Sequence, residues 1–289
     1  MSVDANQSIL RSYKRMPEGP EIKHAADRLS NALVSKRLVN VYFFSERLKK
    51  YESVLEGAKV NSIKTRGKAL LTYLDSGHTI YSHNQLYGRW YFSKAGSLPK
   101  TQRSLRMALD TSTERALLYS ASDIDVLQAT EVDNHPFLAK IGPDVLDKEL
   151  TWHAISTRLL DEKFTKRQLA SLFLDQRFLA GIGNYLRSEI LFDAQVNPLK
   201  KPKELERKIL NNLARSSLKI SRRAYTQKGV TNSESLVRRL RKKGLSRARY
   251  RHAVFGRDGL KCYVCETVIK KISVGNRRLY LCPLCQSEN

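Results

Sequence analysis

Acidic residues are scarce in this 289-residue chain: 28 Asp and Glu stand against 52 Lys and Arg, a formal net charge of +24. A charge of that size repels itself and favours a polyanionic partner, so a small acidic metabolite does not account for it. No run of eighteen apolar residues occurs, and no amphipathic segment sets a basic face against a strongly aromatic one. Both absences weigh against a membrane, whether spanned or bound at its surface. The opening MSVDANQSILRSYKR is polar with isolated apolar residues, so it holds no secretory h-region. There is no internal repeat, and no RNP-like aromatic motif or GXXG clamp that would point to RNA. Cysteine is missing from the first 261 residues. A hydrophobic content of 41% still suffices for a core. The working class is a cytoplasmic, nucleic-acid-binding protein, associated with the nucleoid if bacterial.

The charge is unevenly placed. Residues 200–289 carry 24 Lys/Arg and 6 Asp/Glu, a net of +18, whereas residues 1–199 carry 28 and 22, a net of +6. The same last third holds all four cysteines, Cys262, Cys265, Cys282 and Cys285, as C-x2-C, sixteen residues, C-x2-C. Each pair sets two thiolates on a tight turn, and two such turns complete a tetrahedral four-sulfur site for one structural Zn2+. Two disulfides would use the same residues, but nothing marks the chain as secreted. Between the pairs, Thr267-Val268-Ile269 and Leu279-Tyr280-Leu281 read as strands of a hairpin with Asn276-Arg277-Arg278 at its tip.

Upstream, Ile22, Ala25, Ala26, Leu29 and Leu33 recur at helical spacing after Pro20 and Glu21. Short β-rich runs alternate with turn signals from about Leu38 to Leu118, which suggests a sandwich or barrel. From Trp152 the pattern turns helical, with later helices over about 203–225 and 233–241. Gly181-Ile182-Gly183-Asn184 joins two apolar helices; two glycines and the free amides of a helix start would suit close approach to a phosphate. An ordinary tight turn would look the same.

Met16-Pro17-Glu18-Gly19-Pro20-Glu21 resembles the N-terminus of the Fpg/Nei family of DNA glycosylases, and its endonuclease VIII branch most of all. Thr65 to Leu71, Tyr81 to Gly88, Tyr119 to Asp123, His135 to Leu138, Gly142 to Leu146, Leu179 to Arg187 and the cysteines extend the resemblance from residue 16 to Gln286. It implies an α+β, multi-domain fold: an N-terminal β-sandwich with a flanking helix, a C-terminal helix-two-turns-helix domain and a four-cysteine zinc finger. The expected boundaries are an extension over 1–15, the sandwich over 16–131, the helical domain over 132–254 and the finger over 255–289. The implied activity is base-excision repair: removal of oxidised pyrimidines from duplex DNA, then β,δ-elimination at the abasic site, by a monomer. An oxidised-purine glycosylase and a non-catalytic DNA-binding relative are the alternatives.

The resemblance implies roles residue by residue. Pro17 supplies a secondary amine that attacks C1′ and forms a Schiff base, and Glu18 moves protons at the sugar. Lys68, expected at the head of a strand, contacts phosphate or donates a proton; a solvated strand-end lysine is its bland reading. Arg277 matches the finger arginine, with Arg278 as competitor. Asn184 holds backbone phosphate, as does Lys140, which stands where relatives tend to carry Arg and so keeps a charge without the bidentate fork. Gln85-Leu86-Tyr87 matches a triplet that fills the gap left by an extruded nucleotide, though strand-end packing is the commoner fate of such residues. Glu21 reads either as active-site support or as a first-turn carboxylate. One departure stands out. The family's proline is N-terminal, whereas fifteen residues precede Met16. An acylated Pro17 nitrogen has no basic lone pair. The expectation is that translation begins at Met16 and that removal of Met exposes Pro17; later cleavage or impaired catalysis are the other two readings.

Overall fold

A computed structural model of the chain describes residues 17–287. The expected extension over 1–15 lies outside the described residues. Helix α1 (Gly19–Leu33) starts as its sequence dictates: Pro20 sits in the first turn, and Glu21 closes a capping box by accepting from the Glu18 amide at 3.1 Å. Its apolar face buries Ile22, Ala26, Leu29 and Leu33.

Next come β1 (Asn40–Phe43), the one-turn helices α2 (Glu46–Lys49) and α3 (Glu52–Leu55), and then β2 (Val60–Arg66), β3 (Ala69–Leu74), β4 (His78–His83), β5 (Arg89–Lys94), β6 (Leu105–Asp110), β7 (Glu114–Tyr119) and β8 (Asp123–Gln128). They form two antiparallel four-stranded sheets, ordered β1-β6-β7-β5 and β2-β3-β4-β8. Phe43, Leu70, Ile80, Trp90, Leu109 and Leu118 bring both sheets into one core, which the buried face of α1 joins. This is the expected sandwich with its flanking helix.

After short 3-10 segments at 129–134 and 138–140 the chain becomes helical: α4 (Trp152–Leu159), α5 (Leu169–Leu172), α6 (Asn184–Asp193), α7 (Arg207–Thr226), α8 (Glu234–Lys242) and α9 (Arg247–Tyr250). Among the described residues no helix is long and apolar enough to cross a membrane. A second core gathers Ile155, Leu172, Phe173, Phe178, Leu186, Ile190 and Leu213. The hairpin β9 (Lys270–Val274) and β10 (Arg277–Leu281) docks on it, since Leu279 is fully buried within that core.

The hairpin register corrects the expectation. Gly275 (φ 54°) and Asn276 (φ 59°) both take left-handed backbone and make a two-residue turn, so Arg277 and Arg278 open a strand and do not form the tip. Thr267-Val268-Ile269 is used instead to close the first cysteine turn: Cys262 N–H donates to the Thr267 carbonyl at 2.8 Å, and Ile269 N–H to Leu260 at 2.9 Å. Across the seam between the two cores, the Gly19 amide donates to the Gly181 carbonyl at 2.8 Å, and Tyr225 Oη donates to Asp27 at 2.7 Å.

Candidate active site and nucleic-acid interface

Glu18, 4% exposed, ends the extended segment before α1 and turns its carboxylate onto the start of α6. Oε2 accepts from the amides of Gly183 at 2.8 Å and Leu186 at 3.2 Å, and Oε1 from Tyr185 at 2.8 Å. The three donors are orphan amides of a helix N-terminus, where a negative charge is favoured. Here the expectation for the Gly-x-Gly-Asn turn is corrected: these N–H groups are engaged by a carboxylate of the same chain and are not free for phosphate. Gly183 is what permits this, because a Cβ there would lie 2.4 Å from Glu18 Cδ. Burial pushes the Glu18 carboxyl up to about 7, against the opposing pull of Lys68 and the Tyr185 amide.

Lys68 lies in the β2–β3 turn after Gly67 and not at a strand head. Its Nζ donates to the Ile182 carbonyl at 2.7 Å, which brings the ammonium beside Glu18 and makes the solvated reading wrong. Burial lowers its pKa, Glu18 opposes this, and the charge of Arg277 lowers it further. Arg277 is therefore near enough for its charge to be felt at this cluster. Arg278, one residue on and so on the other face of β10, is felt at Tyr280. Pro17 is half-buried and lines a cleft of about 430 Å³ together with Glu21, His24, Leu86 and Tyr87.

The Gln85-Leu86-Tyr87 triplet tops the β4–β5 loop. Leu86 is 45% and Tyr87 54% exposed, so neither is strand-end packing. Gln85 holds left-handed backbone (φ 49°), the Ser122 hydroxyl donates to its side chain at 3.2 Å, and Arg103 donates to the Tyr87 carbonyl at 2.7 Å. Asn184 is half-buried at the start of α6, with its Oδ1 accepting from Arg187 at 3.3 Å; Lys140 is exposed in the turn at 138–140. The four cysteine Sγ atoms lie within 4.8 Å of one another, with Val264 N–H aimed at Cys262 Sγ and Cys285 N–H at Cys282 Sγ. Four converging thiols with amide donors to sulfur fit a structural metal of the zinc type, with no position left open for catalysis.

Sequence reasoning missed the residues that hold these groups in place. Asp144 accepts from the amides of Gly67 at 2.7 Å and Leu146 at 2.8 Å, fixing the turn that carries Lys68; burial raises its carboxyl to about 6. Gln176 donates to the Ile182 carbonyl at 3.0 Å and accepts from Gly181 at 3.1 Å. Arg187 is 0% exposed and bridges Ala170, Asn184 and the Arg278 carbonyl, tying α6 to the arginine-bearing strand. Glu189 accepts from the amides of Ala253, Val254 and Phe255 and from Thr231 Oγ1. A charged residue on an otherwise apolar helix was the available signal for Arg187 and Glu189; nothing local marks Gln176.

The family models agree with this geometry. The formamidopyrimidine-DNA glycosylase N-terminal domain matches residues 16–122, its H2TH domain residues 141–235, and the zinc finger found in FPG and IleRS residues 259–287. Endonuclease 8 of Salmonella arizonae is 46% identical over 271 residues, 94% of this chain and 100% of the relative; the Klebsiella pneumoniae protein gives the same values. In fold the chain is similar to Lactococcus lactis formamidopyrimidine-DNA glycosylase non-covalently bound to DNA containing an abasic site, with a TM-score of 0.78, 21% identity and coverage of 94% of this chain and 100% of that one. The same protein bound to DNA carrying N7-benzyl-Fapy-dG scores 0.78 at 20% identity. The chain belongs to the Fpg/Nei family of base-excision DNA glycosylases with AP lyase activity.

Proposed function

We propose that the enzyme removes oxidised pyrimidines from duplex DNA and cleaves the abasic strand by β,δ-elimination, with Pro17 as its N-terminal nucleophile. The Pro17 amine attacks C1′, the glycosidic bond breaks and the base leaves with a proton; the C1′–O4′ bond then opens, O4′ takes a proton, and C1′ is left double-bonded to the proline nitrogen. The resulting Schiff base acidifies the C2′ proton, whose loss expels the 3′ phosphate; a second elimination expels the 5′ phosphate. One observation carries the reading. Glu18, bonded in sequence to Pro17, is buried with its carboxylate on three helix-start amides and Lys68 nearby, and burial raises its pKa to about 7, which suits a group that takes and returns protons at neutral pH. Arg277 is the finger arginine in this assignment, supported by its charge reaching Lys68 and Arg187. Gln85, Leu86 and Tyr87 enter the gap of the extruded nucleotide, and Lys140 and Asn184 hold phosphate. Cys262, Cys265, Cys282 and Cys285 hold one structural zinc ion that keeps the hairpin folded.

The test is borohydride trapping on a duplex with thymine glycol. Protein beginning at Pro17 is expected to form a covalent complex, and protein retaining residues 1–16 is expected not to, because its Pro17 nitrogen is an amide. No trapped complex with the Pro17-start protein would remove the nucleophile from the proposal.

A further inference from the structure

Residues 236–258 lie between the second and third family matches, and they carry most of α8 and all of α9. Their basic side chains close one wall of a cleft of about 670 Å³ whose other wall is the first cysteine turn. Five cations line it: Arg239, Lys243, Arg249, Arg257 and Lys261. The single carboxylate in the lining, Glu266, is paired with Lys261 at 3.5 Å. Arg239, Lys243 and Arg249 are exposed, and among the described residues none of the three is ion-paired.

The floor of the cleft is built. Arg257 is 3% exposed and lies 3.4 Å from the Tyr263 ring centroid. Its terminal nitrogens donate to the carbonyls of Ala253 and Lys261, while Nε is buried with no hydrogen-bond partner. Tyr263 Oη in turn donates to the Arg249 carbonyl at 2.9 Å, fixing α9 against the cysteine turn. Like charges gathered this closely repel, and an anion relieves them. The cleft sits at the cysteine end of the hairpin, whereas Arg277 sits at the turn end. Five strand residues at about 3.3 Å each separate the two by roughly 17 Å.

We propose that this cleft is a second phosphate site, which grips the DNA backbone outside the lesion-binding groove. At about 3.4 Å per base pair, its phosphates belong to DNA some five base pairs beyond those held near Arg277. The site adds affinity for long duplexes without entering the chemistry.

The triple variant Arg239→Ala, Lys243→Ala, Arg249→Ala tests this by anisotropy across a KCl series, on duplexes whose register is fixed by an uncleavable abasic analogue flanked on each side by about 4 base pairs (short) or about 15 base pairs (long). Loss of up to three phosphate contacts should lower the salt slope on the long duplex by up to about 2.7, at roughly 0.9 per phosphate. On the short duplex, variant and wild type should coincide, and single-turnover excision from a short lesion duplex should be unchanged. The charge reversal Arg239→Glu, Lys243→Glu should deepen the loss on the long duplex alone. An unchanged slope on the long duplex, equal loss on both lengths, or slowed excision on the short one would overturn the proposal.

Discussion

Gly183→Ala isolates the joint between Glu18 and α6. The backbone at Gly183 (φ −132°, ψ −156°) is extended and open to any residue, so the substitution carries no conformational strain of its own. The obstacle is Glu18, whose Cδ and Oε1 would meet the new Cβ at 2.4 and 2.5 Å. The helix start cannot retreat easily, because the Gly181 carbonyl is held by the Gly19 amide and the Ile182 carbonyl by Lys68. The carboxylate must therefore give up at least two of its three amides. Hydrogen bonds to a charged group contribute about 1.5–3 kcal/mol each, so losing two of the three costs roughly 3–6 kcal/mol. Reduced freedom of the unfolded chain returns about 0.5–1 kcal/mol. Urea denaturation should show the remainder, about 2–5 kcal/mol. Single-turnover excision should fall by roughly 10²-fold or more, the worth of a positioned acid–base group. Binding to a duplex with an uncleavable abasic analogue should stay within a few-fold. A variant of wild-type stability and rate would refute the claim that Gly183 exists to admit Glu18.

Three further outcomes follow from the same geometry. The Glu18 carboxyl titrates near 7 in the fold against 4.5 in the reference state, so the folded state holds this proton more tightly. Its contribution to stability is lost as pH rises from about 4.5 to about 7, to an extent of roughly 3 kcal/mol, and urea midpoints of wild type and Glu18→Gln at pH 5 and pH 8 should differ in that direction. Leu86→Ala combined with Tyr87→Ala truncates exposed side chains, so the melting temperature should move little while excision from a fully paired duplex falls well below that from a mismatched one, where extrusion costs less. Chelation of zinc should unfold the finger and also lower the stability of the helical domain, because Leu279 of the hairpin is buried in that core; circular dichroism at both stages would detect it.

Local periodicity and spacing made much of this legible. Helix α1 follows from its apolar stripe and first-turn Pro20, and the cysteine cluster from the spacing of two C-x2-C turns. Much of what escaped in the catalytic cluster has a common physical cause: its partners are remote in sequence. Glu18 meets amides 165 to 168 residues away, and Lys68 meets a carbonyl 114 residues away, so no window could show that the helix-start amides were already taken. The hairpin error was local. The apolar run at Thr267-Val268-Ile269 outweighed Gly275-Asn276, although a turn that needs two left-handed residues was the stronger constraint.

The Glu18 joint also bears on how the molecule comes together during synthesis. Its donors lie far down the chain, so the sandwich can collapse before they exist, and the loop closed by this contact is among the costly ones to form. Until the helical half docks, the carboxyl next to Pro17 is wetted and ordinarily acidic. Under the proposed mechanism, a half-folded chain would hold the Pro17 amine without the group that moves its protons, so the order of folding would itself act as a safety catch on strand cutting.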